Sequence, residues 1–243
     1  MRIASDFRRI ALNALRNKWL MAIIIFIIVS FLGGVNSEGL EFKVNFEAHH
    51  PDFGIYFGDH TIYSSHHGFL PAGLGIISGG FAVLAIITAI IKFVLGSIAG
   101  VGYARFNLDL VNNNNPGYES LLRYFPHWKT AICTNILASF KIFLWSLLLV
   151  IPGIVASYSY AMTNYVLAET PNISASEAIR ISKVLMEGNR WRLFCLRFSF
   201  IGWDILAALT FGVANIFIIP YKQAAEAAFY MDITMRNYAP YDE

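Results

Sequence analysis

Three lysines stand in the middle of apolar runs: Lys92 in AIIKFVLG, Lys141 in ASFKIFLW and Lys222 in IPYKQAAEAA. A charged side chain at bilayer depth is costly, so it faces a bundle interior or a watery cavity and marks a ligand or ion path. Two acids are candidate counter-ions. Glu226 lies four residues beyond Lys222 and shares its helix face, while Asp204 sits in FIGWDIL. Three lysines against two acids leave an inward-facing cavity net positive, the chemistry that holds a lipid headgroup, a carboxylate or a peptide terminus. The plainer reading is that some of these lysines reach back to a membrane interface along their own stems.

A second group lies in EAHHPDFGIYFGDHTIYSSHHGFLP, residues 47–71, which holds five of the six histidines. A two-residue turn at Gly58-Asp59 sets Phe57 opposite His60, Ile55 opposite Ile62, Phe53 opposite Ser64 and His50 opposite His67. Alternation then puts Phe53, Ile55, Phe57 and Ile62 on one face and Tyr56, Thr61, Tyr63 and Ser65 on the other. The same register gathers His50, Asp52 and His67 on the polar face. Two imidazoles and a carboxylate are a donor set for a divalent metal such as zinc. A solvated histidine-rich tract accounts for the same residues without a metal, and no other cofactor is expected.

Positioning these residues falls to membrane helices. The chain is 56% hydrophobic and 15% aromatic with only 14% charged residues, a balance that excludes an ordinary soluble domain. Apolar runs predict spans at 19–35, 76–101, 131–151, 153–168, 193–211 and 213–233, each near the ~20 residues that cross a bilayer. The fold class expected is therefore an all-α polytopic membrane protein. Six transmembrane helices form three helical hairpins with interfacial amphipathic helices, in one membrane domain over residues 1–243. An extracytoplasmic loop insertion at 36–70 carries the small β-hairpin. Arg2, Arg8, Arg9, Arg16, Lys18, Arg105, Arg123, Lys129, Arg180, Lys183, Arg190, Arg192, Arg197 and Arg236 all fall on one side of this layout. By the positive-inside rule that side, with both termini, is cytoplasmic. The basic start of the chain followed by IIIFIIV reads as a retained first span, since no small-x-small cleavage pattern follows it.

A tryptophan opens three of the spans, Trp19 in NKWLMAI, Trp128 in HWKTAI and Trp191 in NRWRLF. Each hairpin then has a proline on the outer side: Pro71, Pro152 or Pro220. A threefold repeat and a shared preference of tryptophan for interfaces explain this equally. In NISASEAIRISKVLMEGNRWRLF, Ser174 and Glu177 make a capping box, and Ile179, Leu185 and Met186 oppose Arg180, Lys183 and Glu187. This amphipathic helix is expected to lie on the membrane surface and end at Gly188. Gly75, Gly79, Gly96 and Gly100 form small-xxx-small steps suited to close helix packing. Cys133 and Cys195 fall in apolar segments and are expected to be buried.

IPGIVASYSYAMTNYVLAE, SASEAIRISKVLMEGNRWRLFCLRFSFIGW and IIPYKQAAEAAFYMDI resemble the bacterial integral-membrane family catalogued as domain of unknown function 975. The resemblance covers about residues 100–233 and leaves the histidine stretch outside. It implies a six-helix bacterial inner-membrane protein and no particular chemistry.

The chain has no HExxH helix, GxSxG elbow, Walker loop or paired CxxC, so an enzyme is not expected. Nor has it a basic block for nucleic acid. Two functions remain. One is binding or transport of an anionic or amphipathic small ligand in a central polar cavity, with the bilayer and anionic lipid as partners. The other is a non-transporting accessory role beside a membrane protein partner, for example in envelope-stress or antimicrobial-peptide response.

Overall fold

A computed structural model describes the backbone at residues 2–34, 40–47, 50–57, 60–64, 75–114, 117–122, 124–210 and 212–238. Side chains are described at 2–34, 87–114, 117–121, 124–147, 149, 151–210 and 212–236. Helix α1 (Ala4–Leu15) is amphipathic and starts where the Asp6 carboxylate accepts the Ile3 backbone N–H at 3.0 Å. Its buried face, Phe7, Ala11, Ala14 and Leu15, packs against the last helix of the chain. At Asn17 the backbone turns left-handed, φ +67°, a conformation asparagine tolerates better than most residues. There α2 (Trp19–Phe31) departs at 100° from α1.

Helix α2 is apolar all round, burying Ala22, Ile25, Phe26 and Val29 and exposing Leu20, Ile24, Ile27 and Phe31. Its last turn lies against α3 (Gly75–Val111) so closely that a Cβ on Gly96 would collide with the Gly33 carbonyl oxygen. A Cβ on Gly100 would stand 3.1 Å from the Gly34 oxygen. Two glycines of the small-residue ridge thus serve packing within the chain. Helix α3 runs ten residues past its expected end at 101, to Val111, and its C-terminal half is core: Ile98, Val101, Phe106, Leu108 and Leu110 are buried.

A short α4 (Glu119–Leu122) and a 3-10 turn lead into α5 (Trp128–Leu148). The chain reverses at Leu149 into α6 (Val150–Tyr160), where Gly153 has no room for a Cβ against Ser146. Helix α7 (Thr163–Glu169) follows a break at Ala161–Met162. Helix α8 (Ala175–Leu185) is capped by Ser174, whose hydroxyl accepts the Glu177 N–H at 3.3 Å. The reciprocal half of the expected box is missing. Glu177 turns instead to Arg180, at 2.9 and 2.5 Å, and that hydrogen bond holds its carboxyl below the usual range. The apolar face of α8 meets protein rather than bilayer, and Ser182 donates to the Ser159 carbonyl of α6 at 3.0 Å. Gly188, φ +74°, ends this arm as expected. Helices α9 (Arg190–Phe198), α10 (Ile201–Leu209) and α11 (Asn215–Tyr238) complete the chain.

Among the described residues two helical stretches, Ile87–Val111 and Glu119–Leu147, are long and apolar enough to cross a membrane. The bent pair α1–α2 makes a third if it is one span. The departures from six continuous spans have identifiable causes. The expected 153–168 is split into α6 and α7, and the expected 193–211 into α9 and α10. The expected 213–233 is one helix but carries Lys222, Glu226 and Asp232, with Pro220 inside it rather than at its start. Cys133 and Cys195, expected to be buried, are both exposed, because they lie on outward faces of α5 and α9.

Residues 40–64 hold strands β1 (Leu40–Glu47), β2 (His50–Phe57) and β3 (His60–Ser64), antiparallel in the order β1-β2-β3. Phe57 stands opposite His60, but a register shift between Ile55 and Tyr56 then brings Ile55 opposite Tyr63 and Gly54 opposite Ser64. Ile62 and Phe53 were the expected partners. The alternation on which the expected faces rested is interrupted there. His50 stands opposite Glu47 of β1. His67, and the side chains of His50 and Asp52, lie outside the described residues, as does the metal site they would make.

A candidate ligand site on a ladder of ion pairs

Helix α11 runs antiparallel to the α9–α10 segment, and three ion pairs join them like rungs: Arg192 with Asp232, Arg197 with Glu226, and Asp204 with Lys222. The innermost rung is a hub. The Asp232 carboxylate, 7% exposed, accepts from Arg192 Nη2 at 2.6 Å and is ion-paired with Arg236 Nε at 3.2 Å and Arg2 Nη1 at 3.9 Å. Arg192 lies against the rings of Phe7 and Phe229, 5.8 and 5.4 Å from its guanidinium carbon, where the two rings meet edge-on. It also donates to Asn189 Oδ1 at 2.8 Å and to the Arg2 carbonyl at 3.3 Å. A charge this deep depends on these partners, since one left unpaired costs several kcal/mol (about 3–5); of the Arg192 side-chain nitrogens only Nε has no hydrogen-bond partner among the described residues.

The middle rung is a two-pronged pair. Arg197 donates from Nε to Glu226 Oε1 at 2.8 Å and from Nη2 to Oε2 at 3.3 Å, the fork geometry that suits arginine to carboxylate. Its guanidinium covers the Tyr158 ring at 5.3 Å. Beside it, two stacked tyrosines tie α7 to α11. Tyr165 donates to the Gln223 carbonyl at 3.2 Å, and Tyr230 donates to Glu169 Oε2 at 2.7 Å.

The outer rung differs in setting. Lys222 donates to Asp204 Oδ1 with both side chains part exposed, 29% and 39%. Around it α10 presents Ile201, Trp203 and Ile205 and α11 presents Phe217, all exposed. Just before this rung the helix breaks, and Arg8 of α1 donates to the freed Ser199 carbonyl at 3.2 Å. Tyr221 sets its ring edge-on to Phe200 at 5.0 Å and to Trp203 at 6.4 Å.

Of the expected ligand-binding residues, Asp204 and Lys222 come together. Lys222 and Glu226, expected to neutralise each other, take different partners, because α9–α10 offers each its own opposite charge. Lys92 is exposed on α3 and Lys141 half-exposed on α5. Neither makes an ion pair among the described residues. Lys222 is thus neutralised by Asp204, whereas the Asp232 hub gathers three arginines on one carboxylate. Arg192, Arg197 and Asp232 were not among the expected site residues. Their signal is readable afterwards: Arg192, Arg197 and Asp204 spaced along one segment meet Asp232, Glu226 and Lys222 in reverse order along the next. Among the described residues no group of three or more His, Cys, Asp or Glu is placed to hold a metal ion.

No curated protein and no solved structure matches the chain. Residues 146–237, the segment that contains all three rungs, match the family model described as protein of unknown function (DUF975), the family whose sequence pattern this chain resembles.

Proposed function

We propose that the protein is a multi-pass protein of a bacterial cytoplasmic membrane that binds or transports an anionic or amphipathic small ligand at the polar ladder of its last helices. In this reading six segments cross the bilayer: α2, α3, α5, the broken pairs α6–α7 and α9–α10, and α11. Residues 150–169 and 190–209 each hold about the 20 residues that cross the hydrocarbon, in two helical pieces. The basic residues support one cytoplasmic side for both termini. Arg2, Arg192 and Arg236 meet at Asp232, and Lys18 reaches the Asn114 carbonyl at 3.2 Å. The segment 36–70 with its strands then lies outside the cell, and zinc titration of the wild type against His50→Ala and His67→Ala tests it for metal binding.

The observation that carries the ligand reading is the outer rung, a part-exposed lysine and carboxylate on an otherwise apolar surface. Charged groups at that depth are retained for function more often than for stability. The test is a titration of the protein, in lipid nanodiscs, with a fluorescent single-chain phospholipid. Saturable binding weakened about tenfold by Lys222→Ala, with an unchanged size-exclusion profile, is expected; equal affinity in wild type and variant overturns the reading.

A second reading, the accessory role, draws on α5. Phe140, Phe143, Leu144, Trp145 and Leu147 expose a broad apolar face along it, wide enough to seat a helix of a membrane partner. Site-specific crosslinking from Leu144 separates the two: a protein adduct that depends on α5 favours the accessory role.

A further inference from the structure

We infer that the outer rung receives a zwitterionic lipid headgroup of the phosphatidylethanolamine type from the surrounding bilayer, its phosphate taking Lys222 and its ammonium taking Asp204. This rests on the reading of the protein as a membrane protein that binds an amphipath, and it fixes the charge of that amphipath.

The argument is one of charge balance. Lys222 and Asp204 are each other's counter-ions, so the rung as a whole is neutral. A pure anion that captured Lys222 would leave the Asp204 carboxylate without a partner among Ile201, Trp203 and Ile205, and an unpaired charge in apolar surroundings opposes binding. A headgroup that carries one charge of each sign inserts without that penalty. Four charges then alternate in sign, each next to its opposite. An ethanolamine ammonium keeps three N–H donors for the carboxylate, whereas a choline nitrogen has none. The rung therefore discriminates between two headgroups of equal net charge.

Access and placement support the same occupant. The other two rungs hold their acids at 7% and 14% side-chain exposure, against 39% for Asp204. Asp232 already has three arginines and Glu226 a two-pronged one, so neither has a vacancy to offer. The outer rung is flanked by exposed apolar side chains of α10 and by Phe217 of α11, a surface along which acyl chains lie. A water-soluble zwitterion would find the charges but nothing for that surface to bury against.

The test uses the full chain in choline-lipid nanodiscs, titrated with short-chain probes that share one tail and carry ethanolamine, glycerol or choline phosphate heads. Wild type is expected to bind the ethanolamine probe about tenfold more tightly than either other probe. Asp204→Asn should abolish the preference over choline and raise affinity for the anionic glycerol probe. The reversed pair, Asp204→Lys with Lys222→Asp, restores a neutral rung and should keep the ethanolamine preference, because a zwitterion can turn end for end. That double variant also answers the case in which the single one does not fold. Tighter binding of the glycerol probe by wild type, equal binding of all three, or a preference untouched by Asp204→Asn overturns the inference while leaving an amphipath site in place. No saturable binding of any probe overturns both.

Discussion

At Asp232 a carboxylate is 7% exposed and gathers three arginines, two of them from segments almost the whole chain apart; at Asp204 a carboxylate is 39% exposed and holds a single lysine on an apolar surface. The chemistry of the two ends is the same, opposite charges across α11 and its neighbour. What differs is the number of partners and the depth. A buried carboxylate gripped by several arginines fixes the position of the elements that supply them. A part-exposed pair with one bond each can change partners. The ladder thus grades from a structural end to an exchangeable one within a few helical turns.

That gradient is broken most severely at the inner end. Asp232→Ala leaves Arg192 buried against Phe7 and Phe229 with its main acceptor gone, and should cost about 3–5 kcal/mol in chemical denaturation of the detergent-solubilised protein. A loss near zero would show that Asp232 does not organise the hub. Next in size is the α2–α3 crossing, where Gly96→Val drives a branched side chain into the Gly33 carbonyl. An overpacking cost of about 1–3 kcal/mol is expected in the same assay, and it should leave the ladder's ligand selectivity unchanged. Lys222→Met at the outer rung is expected to cost only ~0.6 kcal/mol, the average for polar contacts between membrane helices, while headgroup binding falls. A stability loss as large as that of Asp232→Ala would erase the distinction between the two ends.

The smallest effect lies away from the ladder, on α8. The Glu177 carboxyl is held below its ordinary value of 4.5, chiefly by its hydrogen bond to Arg180. A depressed folded-state value means that the contribution is present above the unfolded value and is lost as the pH falls through the folded one. Thermal melts from pH 7 to 5 should therefore coincide for wild type and Glu177→Gln in slope against pH, with the two diverging only below about 4.5. A difference in slope between pH 7 and 6 would contradict that origin.

How much of this was legible in the sequence follows from what each signal depends on. Helix starts read well because they are local: Trp19 and Trp128 open α2 and α5, and Gly188 stops the α8 arm. The outward and inward faces of α8 were equally readable from Ile179, Leu185, Arg180 and Lys183. Span continuity read poorly. Hydropathy averages over Ala161–Met162 and Ser199–Phe200 as if the helix ran through, whereas the chain breaks at both places. The partner of Lys222 lay in the sequence too, but a helical face offered Glu226 first, four residues away. Only the antiparallel neighbour decides that competition, and the neighbour is a tertiary fact. Asp232 illustrates the same limit, since its meaning comes from Arg192 and Arg2, far away along the chain.

The docking of α1 on α11 also sets an order in time. Arg8 bonds a carbonyl 191 positions further on, and Phe7 meets Phe229 edge-on at 5.4 Å. On a ribosome adding about 5–20 residues per second, the first helix is finished roughly ten to fifty seconds before its partner exists. Throughout that interval the apolar stripe of α1 has no α11 to rest against. The contact between α1 and α11 can therefore close only after Phe229 has been made, and a chain that stalls before it leaves Phe7 without the ring it meets in the fold.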